Sequence, residues 1–195
     1  MINLFQNFYT EKNISRKKEV DTCMTNNSTN IYLNFIPIES EKRLTFSDMF
    51  SFIDKVSSDD DINIISNLDI YFDASILKTL EMNSEEAFAL SRWEVGYDGN
   101  VWFSNREDSQ DTWIFKGKVK NIFGDFNLGF CGCDNRLAHE INVGGYRLSN
   151  PSKTIRTLHM HATNIRSYVT YGPAYEKHLV PGPYKTVPPV DFDKR

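Results

Sequence analysis

The segment Ile62-Asn63-Ile64-Ile65-Ser66-Asn67-Leu68-Asp69-Ile70-Tyr71-Phe72-Asp73 constrains this chain more than any other. Its β-branched apolar run reads as a strand buried on both faces, the pattern of a parallel strand in an α/β sheet. The run ends in Asn67-Leu68-Asp69, where the strand leaves the sheet. Open α/β sheets bind ligands outside the carboxyl ends of their strands. A carboxylate with open coordination there suits a hard divalent cation, Mg²⁺ or Mn²⁺, and through it a phosphate-bearing ligand. On that reading Asp69 holds the metal and Asn67 supports the ligand. The competing reading is a plain turn, where Asn and Asp are common. Asp73 is expected to cap the short helix that follows.

The flanking pattern fits an α/β fold. Residues 2–9 read as a first buried strand, 16–24 as a short helix, 26–30 as a loop and 31–36 as a second strand stopped by Pro37. Residues 45–56 form the clearest helix: Thr45 and Asp48 make a capping box, and Phe46, Met49, Phe50, Ile53 and Val56 share one face. Strand–helix alternation predicts a mostly parallel central sheet flanked by helices. Further on, the sequence predicts a short helix over 75–80, a strand over 87–95, a turn at 97–100 with a return strand over 101–104, and a strand over 112–116. A helix over 134–143 stops at Gly144-Gly145, and strands follow over 146–148 and 154–161.

Five of the seven prolines (Pro173, Pro181, Pro183, Pro188, Pro189) fall near the C-terminus, which excludes regular helix or central strand there. Residues 1–165 are therefore read as the ligand-binding domain, and 166–195 as an extension that packs on it or closes over its site. Lys177, His178 and Lys185 could then reach a diphosphate. A linker to further domains of a longer polypeptide is the alternative.

A length of 195 residues suits one sizeable core. The net charge of −4, with acids and bases scattered, argues against nucleic acid as the main partner. Three cysteines in a chain this long form no disulfide framework, so a reducing, cytoplasmic compartment is expected. Neither a basic leader nor a membrane-spanning apolar window is visible.

Other motifs carry chemistry. His159-Met160-His161 places two imidazoles on one face of a strand, able to hold a metal or phosphate; surface histidines are the plain alternative. Cys131-Gly132-Cys133 is spaced too tightly for a structural zinc site. In Gly132-Cys133-Asp134-Asn135-Arg136, Asp134 falls at a helix mouth, as a cap or as a general base, and Arg136 could hold a phosphate or carboxylate. Ser109-Gln110-Asp111-Thr112-Trp113 leads polar residues into an aromatic strand and could line a cleft. Trp93 and Trp113 could stack on a sugar or base, although core burial is the commoner fate. Glycine-rich phosphate loops and hydrolase signatures are absent.

Together, residues 64–73, 89–93, 109–115, 132–137 and 150–152 with His159-Met160-His161 resemble GT-A glycosyltransferases of the kind found in bacteria and large viruses. The resemblance covers most of residues 1–161. It implies a GT-A-like (Rossmann-like) domain that moves a sugar from a nucleotide-diphosphate-sugar donor, most commonly a UDP-sugar, to a hydroxyl of a glycan or glycoconjugate acceptor. In that family a short Asp-x-Asp motif after a buried strand binds Mn²⁺ or Mg²⁺ with the diphosphate. Here Asn67 replaces its first aspartate and Asp69 remains as metal ligand, joined by a late histidine, His161 or His159. Inverting members carry a base at a helix start, which Asp134 matches. The resemblance further implies Asn67, Asn7, Arg92, Asp111 and Arg136 on the donor side, and Trp113 and Gln110 on the acceptor side. Two alternatives stand beside it. A sugar nucleotidyltransferase is disfavoured because Gln6-Asn7-Phe8-Tyr9-Thr10 lacks the glycine-rich loop. A non-catalytic glycan- or nucleotide-binding module would use Trp102, Trp113 and nearby tyrosines.

Overall fold

A computed structural model describes residues 1–163, 165 and 178–195. In chain order it contains β1 (Ile2–Phe8), α1 (Ile14–Thr29), β2 (Asn34–Glu39), α2 (Phe46–Val56), β3 (Ile62–Ser66), β4 (Ile70–Phe72), a 3₁₀ stretch (Ala74–Glu81), β5 (Glu86–Leu90), β6 (Trp93–Val95), β7 (Val101–Phe103), β8 (Thr112–Lys116), α3 (Cys133–Val143), β9 (Arg147–Ser149), β10 (Thr157–His159) and a last 3₁₀ turn (Phe192–Lys194). The chain is α/β, with a six-stranded sheet ordered β2-β1-β3-β8-β5-β9. Every strand in it runs parallel except β8, which is antiparallel to both β3 and β5. A smaller sheet, β4-β10-β6-β7, stands beside it.

Strand side chains alternate between faces, and that alternation builds two cores. Phe5, Ile65, Trp113, Phe115, Ala87 and Ala89 meet α2 and α3 on one face. Leu4, Ile62, Ile64, Phe88, Leu90 and Ile114 meet Ile70, Phe72, Ile76 and Phe192 on the other. The capping box at Thr45 and Asp48 is present, and Asp73 caps the 3₁₀ stretch through Ser75 N, as the sequence predicts.

Several boundaries differ from the sequence expectation, among them the strand expected over 154–161, which forms only over Thr157–His159 and leaves His161 beyond its end. Helix α1 runs through the expected 26–30 loop to Thr29. Its polar side chains bond back to the preceding turn (Thr22 to Lys18 O, Thr25 to Asp21 O, Asn26 to Thr22 O), so they satisfy the helix instead of ending it. Pro37 lies inside β2, opposite Gln6, rather than stopping it. An edge strand tolerates proline because the missing N–H has no partner to lose. The expected strand over 87–95 breaks at Ser91 into β5 and β6, which belong to different sheets. The break is held by Ser91 N donating to Asn150 Oδ1 and Thr157 Oγ1 donating to Ser91 O.

Residues 178–195 lack regular structure apart from the last turn, yet Val180, Val187 and Phe192 are buried. Arg136 Nη1 donates to the carbonyls of Pro181 and Gly182, and Arg195 Nε reaches Glu86 Oε1. Pro173 and Lys177 lie outside the described residues.

Candidate active site

The carboxyl ends of β1 and β3 open into a cleft of about 750 Å³ lined by Asn67, Asp69, Asp111, Asp134, His159 and His161, among others. Side chains from two other elements hold the loop after β3. Gln6 is fully buried on β1, and its Nε2 donates to Ser66 Oγ at 2.9 Å, Asn67 O at 2.8 Å and Ile70 O at 2.9 Å. Asn27 of α1 donates from Nδ2 to Gln6 Oε1 and again to Ile70 O. Two buried amides thus fix the path of Asn67-Leu68-Asp69. Neither amide carries a motif that sequence reading could catch.

Asp69 faces two histidines. One donor atom from each of Asp69, His159 and His161 lies within 4.8 Å of the others, a possible metal-binding group. His159 Nε2 is 3.2 Å and His161 Nδ1 3.7 Å from Asp69 Oδ2. Asp69 Oδ1 is buried without a hydrogen-bond partner. An orphaned, buried carboxylate oxygen beside two imidazoles is a donor set that fits a divalent cation, since buried polar atoms otherwise find partners. Arg16 of α1 pairs with Asp69 Oδ2 and with Glu19. Burial would raise the Asp69 carboxyl, but His159 and Arg16 hold it far below the usual carboxylate range. Burial would lower His159, but Asp69 and Glu94 hold it up at about 9. Burial and then Arg16 push His161 down.

Asp134 occupies the first turn of α3, behind Gly132, whose φ of +80° makes the left-handed entry that glycine accepts without strain. A side chain at Gly132 would also press on Tyr184 Oη and Val180 O, both 3.1 Å from where its Cβ would stand. Asp134 accepts from Gln110 N at 3.3 Å and Asn135 N at 3.0 Å. Burial and, next, the charge of Asp111 raise its carboxyl to about 6. The separate carboxylate sought in the sequence is therefore present and tuned toward neutral pH.

The remaining residues singled out from sequence sort by what their side chains do. Asn67 Nδ2 donates to Asp111 Oδ1 at 2.7 Å, and Arg92 Nη1 to Asp111 Oδ2 at 2.9 Å, so these three meet in the cleft wall. Asn7 lines the cleft, but its amide is engaged with Ile38 O and Leu44 N, which tethers the segment after β2. Gln110 is buried; its backbone supports Asp134 and its side chain donates to Glu107 O. Arg136 is absent from the cleft lining and holds Glu140 and the C-terminal segment instead. Trp113 is fully buried, edge-on to Phe46 at 4.9 Å, so it offers no open ring face for stacking. Trp93 packs at a tilt against Phe103, ring centroids 5.0 Å apart, and donates to Ser152 O. Cys131 and Cys133 lie outside the metal-binding group. Among the described residues no helix is long and apolar enough to cross a membrane.

No protein-family model, curated protein or solved structure matches this chain.

Proposed function

We propose that this chain is a metal-dependent, GT-A-like glycosyltransferase that uses a nucleotide-diphosphate-sugar donor and a hydroxyl acceptor. The observation that carries the reading is the pairing, in one cleft, of a carboxylate–bis-imidazole group (Asp69, His159, His161) with a separate carboxylate, Asp134, raised to about 6. A mostly parallel sheet whose strand ends open into that cleft supports it.

Asp69, His159 and His161 would hold Mn²⁺ or Mg²⁺. When bound, the metal would neutralise negative charge growing on the departing diphosphate, which removes the need for a carboxylic acid on that side. Asp134 takes the proton of the acceptor hydroxyl. That hydroxyl oxygen forms the new bond to the anomeric carbon, the bond from this carbon to the diphosphate oxygen breaks, and its electron pair leaves with the nucleoside diphosphate. A single base working opposite the leaving group inverts the anomeric centre. Arg92, Asp111 and Asn67 keep the loop bearing Asp69 registered against the wall bearing Asp134.

The test is a thermal-shift panel of nucleoside diphosphates and nucleotide-sugars with and without Mn²⁺, since a ligand bound only by the folded state raises its stability. A Mn²⁺-dependent shift confined to one nucleotide class is the expected result. No shift with any nucleotide in the presence of Mn²⁺ would leave a glycan-binding module as the better reading.

A further inference from the structure

The metal-binding group has a supporting residue that no motif announces. Glu94 sits on β6, the neighbour of β10, in register with His159. Its Oε2 lies 2.7 Å from His159 Nδ1, while its Oε1 accepts from Arg92 Nε at 2.7 Å. Arg92 continues to Asp111, and Asp111 to Asn67, two residues before Asp69. His159 Nε2 closes the circuit back to Asp69. Six side chains from four separate segments thus form a ring that begins and ends on the Asn67-Leu68-Asp69 loop.

We propose that Glu94 is a positioning residue for the divalent cation: by accepting the Nδ1–H of His159 it keeps that proton in place, so that Nε2, beside Asp69, is the nitrogen that gives up its proton to the cation. This rests on the metal-dependent reading above and adds the group that makes it specific. A ligating histidine offers one nitrogen as a lone pair only if its proton is kept on the other, and a carboxylate partner on that N–H both orients the ring and strengthens the donor. Both oxygens of Glu94 are taken, one by His159 and one by Arg92.

Arg92 makes the proposal sharply testable. In Glu94→Gln the single amide oxygen is claimed by the Arg92 Nε–H, so the amide NH₂ faces His159 Nδ1 and forces it to accept. The ring then keeps its proton on Nε2, pointing at Asp69 and blocking the cation, with almost no change in side-chain shape. Mn²⁺ affinity, read from the free-ion electron paramagnetic resonance signal, is expected to fall about 10- to 100-fold in Glu94→Gln. In Glu94→Gln/Arg92→Ala the amide is released to rotate, and part of that affinity is expected to return. Long-range ¹⁵N correlation spectra of the wild-type chain loaded with Zn²⁺, a diamagnetic stand-in, are expected to show His159 protonated at Nδ1 and metal-bound at Nε2. That spectrum needs no variant to fold.

Wild-type affinity in Glu94→Gln, or no recovery in the double variant, overturns the tautomer account, and so does a His159 bound through Nδ1. Failure of the underlying reading looks different: the wild-type chain would bind no Mn²⁺, or Asp69→Asn would bind it unchanged, and the role of Glu94 would fall with it.

Discussion

Asp134→Asn separates the chemistry of this site from its stability. In the folded chain the Asp134 carboxyl sits near 6, against an ordinary aspartate value of 3.8, because burial and the neighbouring Asp111 charge both disfavour ionisation. The unfolded chain therefore gives up its proton first, and the native state is destabilised as pH rises from about 4 to about 6. Below the lower value both states are protonated and the cost vanishes; above the upper value it is complete. A difference of about 2 units corresponds to about 3 kcal/mol at pH 7.5 and about 1 kcal/mol at pH 4.5. Asparagine cannot ionise, can still accept one of the two backbone N–H bonds from Gln110 and Asn135, and nearly matches the shape. Urea unfolding of both proteins at the two pH values measures the effect. The stability gain of Asp134→Asn over wild type is expected to be about 2 kcal/mol larger at pH 7.5 than at pH 4.5. Each titration that the two proteins share cancels in that double difference. A gain that is the same at both pH values would falsify the claim that burial and Asp111 raise the Asp134 carboxyl. In parallel, transfer should fall by about 10²- to 10⁴-fold while Mn²⁺-dependent donor binding persists. Normal turnover would remove Asp134 as the base.

Other expectations follow from the same geometry. Asp69→Asn should abolish the Mn²⁺-dependent thermal shift, and Asp69→Ala should additionally destabilise the chain by about 3–5 kcal/mol, because Arg16 is left as a buried charge short of its partner; full Mn²⁺ response in Asp69→Asn would refute the site. Gln6→Ala removes a donor that serves Ser66, Asn67 and Ile70, so about 1–3 kcal/mol of stability and part of the Mn²⁺ affinity should be lost together, checked by urea unfolding and paramagnetic resonance titration. Phe192→Ala empties a fully buried position in the core beneath β5, and a loss of about 3–5 kcal/mol is expected in urea unfolding. An unchanged midpoint would mean that the C-terminal segment merely rests on the surface.

The sequence by itself determined the local parts of this protein, and the tertiary structure decided their partnerships. A β-branched run specifies a buried strand, a Thr–x–x–Asp pattern specifies the start of α2, and Gly144-Gly145 specifies the end of α3, because each depends on residues within a few positions. The same locality made Asp69, Asp134 and the two late histidines legible as candidates: a carboxylate at a strand exit, one at a helix mouth, and two imidazoles two residues apart, although His161 lies beyond the end of β10. Locality failed where long-range contacts outweighed propensity. The polar end of α1 looked like a loop until Asn27 found Gln6 and Ile70, and Pro37 looked like a stop until β2 took the edge of the sheet. It failed again for side chains whose role depends on a partner far along the chain. Arg136 and Trp113 have the chemistry of binding residues but are spent on the C-terminal segment and the core, whereas Gln6 and Glu94, unremarkable as letters, hold the Asp69 loop and His159. A hydrogen bond has a range of about 3 Å, and which groups come that close is settled by how the sheets pack, not by the spacing of residues along the chain.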